Sequence, residues 1–232
     1  MDYKKEAAQK AAELIQDNTV IGFGAGTAMA HLVGFLKEKV EAGLKVKIVT
    51  SSFSTRMILY QHRFEVHDTT SINLLDIYFD GCDQFDKDLN ALKSGGGIHT
   101  NEKILAAMAN EFILVGDDSK YVEKLEVKFP LVIEVLPQIV SYLPVAIKKI
   151  YPGVRTELRL CNRKDGAVIS ENGNYIFDLW FNEWPELAAI NPALKNIPGV
   201  IETSLFYKLA TRAVIAGAQG IRVLGAGLAA VS

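Results

Sequence analysis

Short apolar runs alternate with amphipathic stretches over the first half of the chain. The runs are long enough for buried strands, and between them apolar residues such as Met29, Leu32 and Leu36 recur at helical spacing. A similar helical pattern covers residues 3–17. Alternating strands and helices predict an α/β fold: a Rossmann-like, mostly parallel sheet with helices on both faces. The predicted strands are Thr19–Phe23, Val46–Thr50, Phe64–Val66, Leu74–Phe79 and Glu111–Gly116.

The pattern changes in the second half. Turn sequences at Asp165-Gly166 and Asn172-Gly173-Asn174 separate short apolar runs, and Asn-Gly is a hairpin signal. A helical pattern over Pro185–Ile197 is interrupted near Pro192. These features predict a small α+β domain, residues 130–201, inserted near the C-terminus of a larger domain formed by residues 1–129 and 202–232. The strands predicted for the insertion are Arg155–Cys161, Ala167–Ser170 and Ile176–Trp180, and those predicted to return to the larger domain are Ile201–Phe206, Arg212–Ala216 and Ile221–Leu224.

Composition excludes several classes of protein. The 232 residues carry a net charge of −2 and no basic block, so nucleic acid is not an expected partner. Two cysteines, Cys82 and Cys161, have no metal-binding spacing and favour a reducing compartment. The N-terminus lacks an apolar signal core and no run is long enough for a membrane span. We therefore expect a cytoplasmic protein without membrane contact.

One segment, residues 80–103, concentrates groups that could perform chemistry. Asp80 and Asp83 emerge from a predicted strand, Lys93 and Ser94 precede the glycine triplet Gly95–Gly97, and Glu102 lies where a helix begins. Glycine loses more freedom on ordering than any other residue, so three in a row indicate that something approaches the backbone closely. Each polar residue alone would be an ordinary turn, cap or surface residue.

A second glycine-rich turn, Gly22–Ala28, links the first strand to a helix. Such a turn presents free backbone N–H groups at a helix start and favours anion binding. A dinucleotide fingerprint fits poorly, because the third glycine position falls on Thr27 or Met29. The strand Val46–Thr50 also ends in serines rather than in an acidic residue that could hold a ribose.

The segment 80–103 resembles the D-G-A-D-E, K-G-G-G and T-R-E-K signature of the type A ribose-5-phosphate isomerases. The nine-residue step from Lys93 to Glu102 is that of the family, and Phe129–Pro137 is similar to its F-P-L-P-V-E-V-I-P motif. Lys120 matches the lysine of its D-A-S-K motif. The family's G-T-G-S-T turn is Gly24–Ala28 here, which lacks two of the three hydroxyl groups.

The resemblance implies an aldose–ketose isomerase of the pentose phosphate pathway that interconverts ribose 5-phosphate and ribulose 5-phosphate. Such a reaction needs a base to move a proton between adjacent carbons and positive charge to stabilise an enediolate. The resemblance assigns proton transfer to Glu102 and substrate contacts to Asp80, Asp83 and Lys93, and either aspartate could assist ring opening. It further implies a substrate-binding set of Gly24, Ala25, Gly26, Thr27, Ala28, Gly81, Cys82, Ser94, Gly95, Gly96 and Lys120.

The resemblance also implies no metal or organic cofactor and a homodimer or homotetramer. A metal site formed by Asp80, Asp83, Asp86 and Asp88 is an alternative, but their spacing is not that of a calcium loop. Two other functions stay open. The altered turn at Gly24–Ala28 is compatible with an isomerase for another sugar phosphate. A non-catalytic sugar-phosphate sensor would need a DNA-binding module, for which the residues before Thr19 leave too little room.

Overall fold

The part of the chain that the structure describes contains fourteen strands, six α-helices and three short 3-10 helices. The computed structural model describes residues 1–225 and the backbone of residues 228–231. The helices are α1 (Tyr3–Ala12), α2 (Thr27–Glu41), α3 (Phe53–Gln61), α4 (His99–Met108), α5 (Leu143–Ile150) and α6 (Leu187–Lys195). The strands are β1 (Thr19–Phe23), β2 (Val46–Thr50), β3 (Leu75–Asp80), β4 (Gln84–Phe85), β5 (Ala91–Leu92), β6 (Ala109–Asp117), β7 (Leu131–Val135), β8 (Arg155–Leu158), β9 (Tyr175–Trp180), β10 (Val200–Thr203), β11 (Leu205–Phe206), β12 (Arg212–Gly217), β13 (Gly220–Gly225) and β14 (Leu228–Val231).

A seven-stranded sheet forms the centre of the molecule, in the order β14-β13-β12-β6-β3-β1-β2. Neighbouring strands from β2 to β12 run parallel, and only β13 and β14 at one edge are antiparallel. The predicted α/β fold with a mostly parallel sheet is therefore confirmed. None of the helices within the described residues combines the length and apolarity of a membrane span.

Side chains that alternate along each central strand fill two cores, one on each face of the sheet. Ile21 and Phe23 of β1 pack with Ala8, Met29 and the other apolar residues of α1 and α2. On the opposite face, Tyr78 of β3 packs with apolar residues of α4 and β6. Because successive side chains of a strand point to opposite faces, a strand buried on both faces must be apolar throughout. This explains why the central strands appear in the sequence as continuous apolar runs.

The carboxyl ends of β1, β3 and β6 meet at one edge of the sheet. The chain runs from β1 to its neighbour β2 on one side, then crosses to β3 on the other side of β1. The strand order therefore reverses between β1 and β3. In open α/β sheets, ligands bind beyond the carboxyl ends of the strands at such a switch point.

A smaller antiparallel sheet, in the order β10-β7-β9-β8, packs with α5 and α6 around a separate apolar core. A third sheet, β11-β5-β4, carries the segment that leads into Lys93. All four strands of the smaller sheet lie between Leu131 and Thr203. The division into residues 1–129 with 202–232 and residues 130–201 stays a prediction, and residues 226, 227 and 232 lie outside the described residues.

Two predicted strands are wrong. Phe64–Val66 is an extended connection without a strand ladder, and its only nearby backbone bond to β2 runs from His67 N–H to Ile48 O at 2.8 Å. Its apolar side chains pack against the core of α1 and α2, which accounts for their hydrophobic pattern. Ala167–Ser170 makes only two isolated bridges, because tight turns on both sides leave no room for a ladder.

Other boundaries also differ. The strand predicted over Arg155–Cys161 ends at Leu158, and α6 continues through Pro192 because Ile190 and Leu194 are buried on one face. The strand predicted over Ile201–Phe206 is divided. β10 pairs with β7 of the smaller sheet, and only β11 joins the larger part of the molecule.

Candidate active site

Asp80 lies at the end of β3 with its carboxylate completely buried. Its Oδ1 atom accepts hydrogen bonds from the N–H groups of Ala25 (3.1 Å) and Gly81 (2.8 Å), and its Oδ2 atom accepts one from the Tyr78 hydroxyl (2.6 Å). A Cβ atom on Gly24 would lie 1.9 Å from the Asp80 Cγ atom. The glycine at the end of β1 is therefore required for the aspartate to reach the neighbouring turn.

Lys93 follows β5, and its ammonium group is directed at two carboxylates. Its Nζ atom lies 2.9 Å from Asp80 Oδ2 and 3.3 Å from Glu102 Oε1, and it donates a hydrogen bond to Gly81 O at 2.5 Å. The lysine is only 7% exposed. Burial alone would lower the pKa of Lys93, but the charges of Asp80 and Glu102 outweigh burial and raise it above the ordinary value. This lysine is therefore a permanently charged group.

Glu102 lies in the first turns of α4 and is only 4% exposed. Burial and the charge of Asp80 raise the pKa of Glu102 to about 8, although Lys93 opposes the shift. Burial is the largest cause, and the single ammonium group does not offset it because it faces two carboxylates at once. Asp80 has three further hydrogen-bond donors and is the better stabilised anion. Glu102 is consequently a carboxylate that exchanges a proton near neutral pH, as a general base must.

Asp83 holds the loop that follows Lys93. Its Oδ2 atom accepts hydrogen bonds from the N–H groups of Ser94 (2.5 Å) and Gly95 (3.1 Å). The Ser94 hydroxyl donates a hydrogen bond to Pro130 O at 2.6 Å. Gly96 and Gly97 adopt positive φ angles of 58° and 75°, which glycine reaches without strain. The glycine triplet thus lets the loop curve around the site.

These groups line a cleft of about 300 Å³ at the switch point of the sheet. Of the fifteen residues predicted for the site, twelve line the cleft: Ala25, Gly26, Thr27, Ala28, Gly81, Cys82, Asp83, Lys93, Gly95, Gly96, Glu102 and Lys120. Gly24, Asp80 and Ser94 do not. Asp80 and Gly24 lie beneath the cleft, and Ser94 supports the loop. The predicted residues therefore form one constellation, although three of them act from behind the surface.

The rim of the cleft is suited to an anion. Helix α2 begins here after Gly26, whose φ angle is 106°, and within the described residues no side chain caps the first N–H groups of this helix. Lys120, in the short 3-10 helix after β6, also lines the cleft. Free N–H groups and the positive end of a fifteen-residue helix attract phosphate or carboxylate groups.

Sequence reasoning missed four lining residues: Lys4, Ile98, Val115 and Gly116. Lys4 projects from α1, and its Nζ atom lies 3.8 Å from Asp117 Oδ2 at the end of β6. In the sequence it is one of several lysines in an amphipathic helix. Lys4 lies far from the glycine turn in the sequence, and only the packing of α1 on the sheet brings it to the cleft. No local sequence pattern therefore identifies it as a lining residue.

The described residues support neither a cysteine nucleophile nor a metal site formed by the aspartates of the segment 80–103. Burial raises the pKa of the Cys82 thiol to about 12, so this cysteine is not a reactive thiolate. Asp86 accepts hydrogen bonds from Asn90 and from the Asp88 N–H and stabilises a turn. Among the residues with described side chains, no group of three or more His, Cys, Asp or Glu side chains is placed to hold a metal ion.

Fold and site together define a Rossmann-like α/β protein with an acid–base centre for a small anionic substrate. The family model for ribose 5-phosphate isomerase A (phosphoriboisomerase A) matches residues 47–220. This match covers most of the chain. The protein belongs to the ribose 5-phosphate isomerase A family.

Individual relatives agree over nearly the full length. The chain is 36% identical to the ribose-5-phosphate isomerase A of Thermosynechococcus vestitus, over 89% of this chain and 88% of that protein. It is 35% identical to that of Methanothermobacter thermautotrophicus, over 97% and 98%. Among solved structures, ribose 5-phosphate isomerase A from Methanocaldococcus jannaschii has a TM-score of 0.89 at 34% identity, covering 96% of this chain and 97% of that one. A D-ribose-5-phosphate isomerase in complex with phospho-erythronic acid has a TM-score of 0.90 at 32% identity, covering 97% and 100%.

Proposed function

We propose that the protein is an aldose–ketose isomerase that interconverts D-ribose 5-phosphate and D-ribulose 5-phosphate. The observation that carries the proposal is the contact between Glu102 and Lys93, 3.3 Å apart, inside a cleft with an anion-binding rim. A sugar phosphate supplies both an acidic C–H group and an anionic end. Relatives that carry this name match the chain over nearly its whole length.

Glu102 acts as the base in this proposal. Its carboxylate takes the proton from C2 of the open-chain aldose, the electrons move through the C1 carbonyl, and an enediolate forms. Glu102 then returns the proton to C1, while the hydroxyl proton at O2 passes to O1, so no atom is gained or lost. The charged Lys93 ammonium beside Glu102 stabilises the oxygen that becomes negative.

The rim binds the phosphate. The N-terminus of α2 offers backbone N–H groups, and the Lys120 and Lys4 side chains add positive charge. Thr27 supplies a hydroxyl group at the first position of that helix. This set replaces the two hydroxyl groups that the turn Gly24–Ala28 lacks relative to the family pattern.

Asp83 assists ring opening. It lines the cleft, whereas the Asp80 carboxylate is fully buried beneath it and is occupied by three hydrogen bonds and an ion pair. A group that shuttles a proton to or from the furanose ring oxygen must reach the substrate. Asp80 instead sets the charge of Lys93 and the pKa of Glu102.

Turnover of ribose 5-phosphate by the purified, chelator-treated protein tests the function. We expect full activity after chelation, and a loss of at least about a hundredfold in kcat for Glu102→Gln, which keeps the size of the side chain but cannot accept the proton. Undiminished activity of Glu102→Gln would remove Glu102 as the base. A panel of pentose and hexose phosphates measures the substrate preference in the same assay.

Self-association and a cytoplasmic location belong to the same proposal. Phe53, Met57 and Tyr60 of α3 are 68%, 42% and 48% exposed and recur on one helix face, which favours contact with a second copy of the chain. Analytical ultracentrifugation of the wild type and of Phe53→Glu tests this surface. A wild-type monomer at micromolar concentration would contradict it.

A further inference from the structure

Glu134, in β7 of the smaller sheet, carries a completely buried carboxylate outside the cleft. Four neutral groups donate hydrogen bonds to it: the hydroxyls of Thr100 and Ser170 (2.6 Å for Ser170) and the amides of Asn172 (3.1 Å) and Asn174 (2.8 Å). Three of these donors follow β8 in the smaller sheet's own hairpin region. Thr100 alone comes from the larger part of the molecule, where it lies in α4.

The carboxylate is held as an anion without a partner cation. Among residues 1–225, no Lys, Arg or His nitrogen lies within 4.0 Å of Glu134. Burial opposes ionisation, but the donated hydrogen bonds, from Ser170 first and then Thr100, outweigh it and lower the pKa of Glu134. Loss of a hydrogen bond to a buried charge is energetically costly. The four donors are therefore held in place around the Glu134 carboxylate.

The link to α4 falls on its first turn. Thr100 is the second residue of that helix, and Glu102 follows two residues later. An anion at a helix N-terminus is attracted by the helix dipole and by the free N–H groups there. The residue after Glu102, Lys103, is also tied to the chain that leaves the smaller sheet: its Nζ atom donates to Thr203 O (2.5 Å), to Leu205 O (2.9 Å) and to Glu202 Oε1 (3.0 Å). Glu102 therefore lies between two anchored residues.

We propose that Glu134 is a positioning residue for the isomerase, which fixes the first turn of α4 through Thr100 and so places the Glu102 carboxylate against the substrate carbons. The inference rests on the proposed function of Glu102 as base. The smaller sheet thereby contributes to the chemistry without touching the substrate. A displacement of about 1 Å at a reacting group costs on the order of a hundredfold in rate, so a single anchoring bond is sufficient to matter.

Four variants separate a positioning role from a simple effect on stability. Thr100→Val keeps the shape of the side chain but cannot donate to Glu134, and Thr100→Ser restores the donor. Ser170→Ala is the matched control, because it removes a hydroxyl donor from the same carboxylate without touching α4. Glu134→Gln, which keeps one oxygen acceptor, is the second disruptive variant in case Thr100→Val does not fold. The measurements are kcat and KM for ribose 5-phosphate, thermal midpoints and far-UV circular dichroism.

We expect Thr100→Val and Glu134→Gln to lower kcat about ten- to a hundredfold with KM changed less than about threefold, because the misplaced base affects the transition state more than binding. Thr100→Ser and Ser170→Ala should retain kcat within about threefold. Folded Thr100→Val and Glu134→Gln with wild-type kcat, or a Ser170→Ala loss as large as theirs at equal stability, would overturn the positioning role. A wild-type protein without turnover is a different result, since it overturns the isomerase assignment itself and this role with it.

Discussion

The ammonium of Lys93 lies 3.3 Å from the Glu102 carboxylate, yet the pKa of Glu102 is raised, not lowered. The same ammonium is closer to Asp80, at 2.9 Å, and Asp80 has further donors of its own. Lys93 therefore mainly compensates the charge of Asp80. Glu102 remains free to exchange its proton while it stays next to a positive charge that the enediolate needs.

The pH dependence of kcat/KM should reflect this arrangement. Glu102 must be ionised to accept a proton, so kcat/KM should rise with pH through about 8, the raised pKa of this carboxyl group. Asp80→Asn removes the neighbouring negative charge that contributes to the shift, and the rising limb of its profile should move to lower pH. A pH–rate profile of both proteins measures this. An unmoved limb in Asp80→Asn would show that Asp80 does not set the pKa of the base.

The contribution of Glu102 to the free energy of unfolding should decrease as the pH rises, whereas kcat/KM should increase. In the folded protein Glu102 keeps its proton up to about pH 8, whereas an unperturbed glutamate releases it near 4.5. The stability that this group contributes is fully present below about pH 4.5 and is lost as the pH rises toward 8. Urea unfolding at pH 6 and pH 8.5 should show a smaller decrease for Glu102→Gln than for the wild type. Equal decreases would assign the pH dependence to other groups.

Gly24 should not tolerate a side chain. In Gly24→Ala the new methyl group would overlap the Asp80 carboxylate, and overpacking in a core typically costs about 1–3 kcal/mol. Displacement of Asp80 should also disturb Lys93 and reduce kcat. Gly34→Ala is the control: Gly34 lies inside α2 with no atom within 4 Å of the added group, and this change should stabilise by about 0.5–1 kcal/mol. Chemical denaturation and steady-state kinetics test both variants, and a neutral Gly24→Ala would contradict the packing argument.

Removal of the lysines proposed to bind the phosphate should raise KM. Loss of a hydrogen bond to a charged group costs about 1.5–3 kcal/mol, so Lys120→Ala should raise KM for ribose 5-phosphate about ten- to a hundredfold with a smaller change in kcat. Lys4→Ala should have a weaker effect that fades with added salt, because the Lys4 side chain is 40% exposed. Lys37→Ala, which removes an exposed ion pair of α2 outside the cleft, is the control. If all three variants have the same KM, the two cleft lysines do not bind phosphate.

Local signals in the sequence predict the sheet and most of the residues that line the cleft. The apolar run within Glu111–Gly116 marks a strand buried on two faces, and the segment 80–103 carries its chemistry within one short stretch. The hydrophobic pattern predicts a strand wrongly where apolar side chains pack against a core but the backbone does not pair with a neighbouring strand. Phe64 and Val66 are apolar because they pack against a core, not because they pair with a strand.

Contacts between distant segments are the part that local reasoning does not reach. Lys4 lines the cleft only because α1 packs against the sheet, and the Thr100–Glu134 contact joins α4 to β7 of the smaller sheet. The motif implies substrate contact for Asp80, and the burial of this carboxylate and its hydrogen bond from the Ala25 N–H depend on residues far from it in the sequence. A motif therefore brings residues to one region of the fold without indicating which of them line the cleft.

The pairing of β5 with β11 has a consequence for how the protein is made. Lys93 directly follows β5, and the β11 partner of this strand is synthesised only after all four strands of the smaller sheet. The backbone N–H of Lys93 likewise donates to Ser204 O, at 3.1 Å, just before β11. Long-range pairing of this kind forms slowly, and a nascent chain that ends before Leu205 can pair β5 only with its near neighbour β4. The sheet that holds Lys93 can therefore be completed only once Leu205 and Phe206 have been synthesised, long after the first three parallel strands have been able to associate.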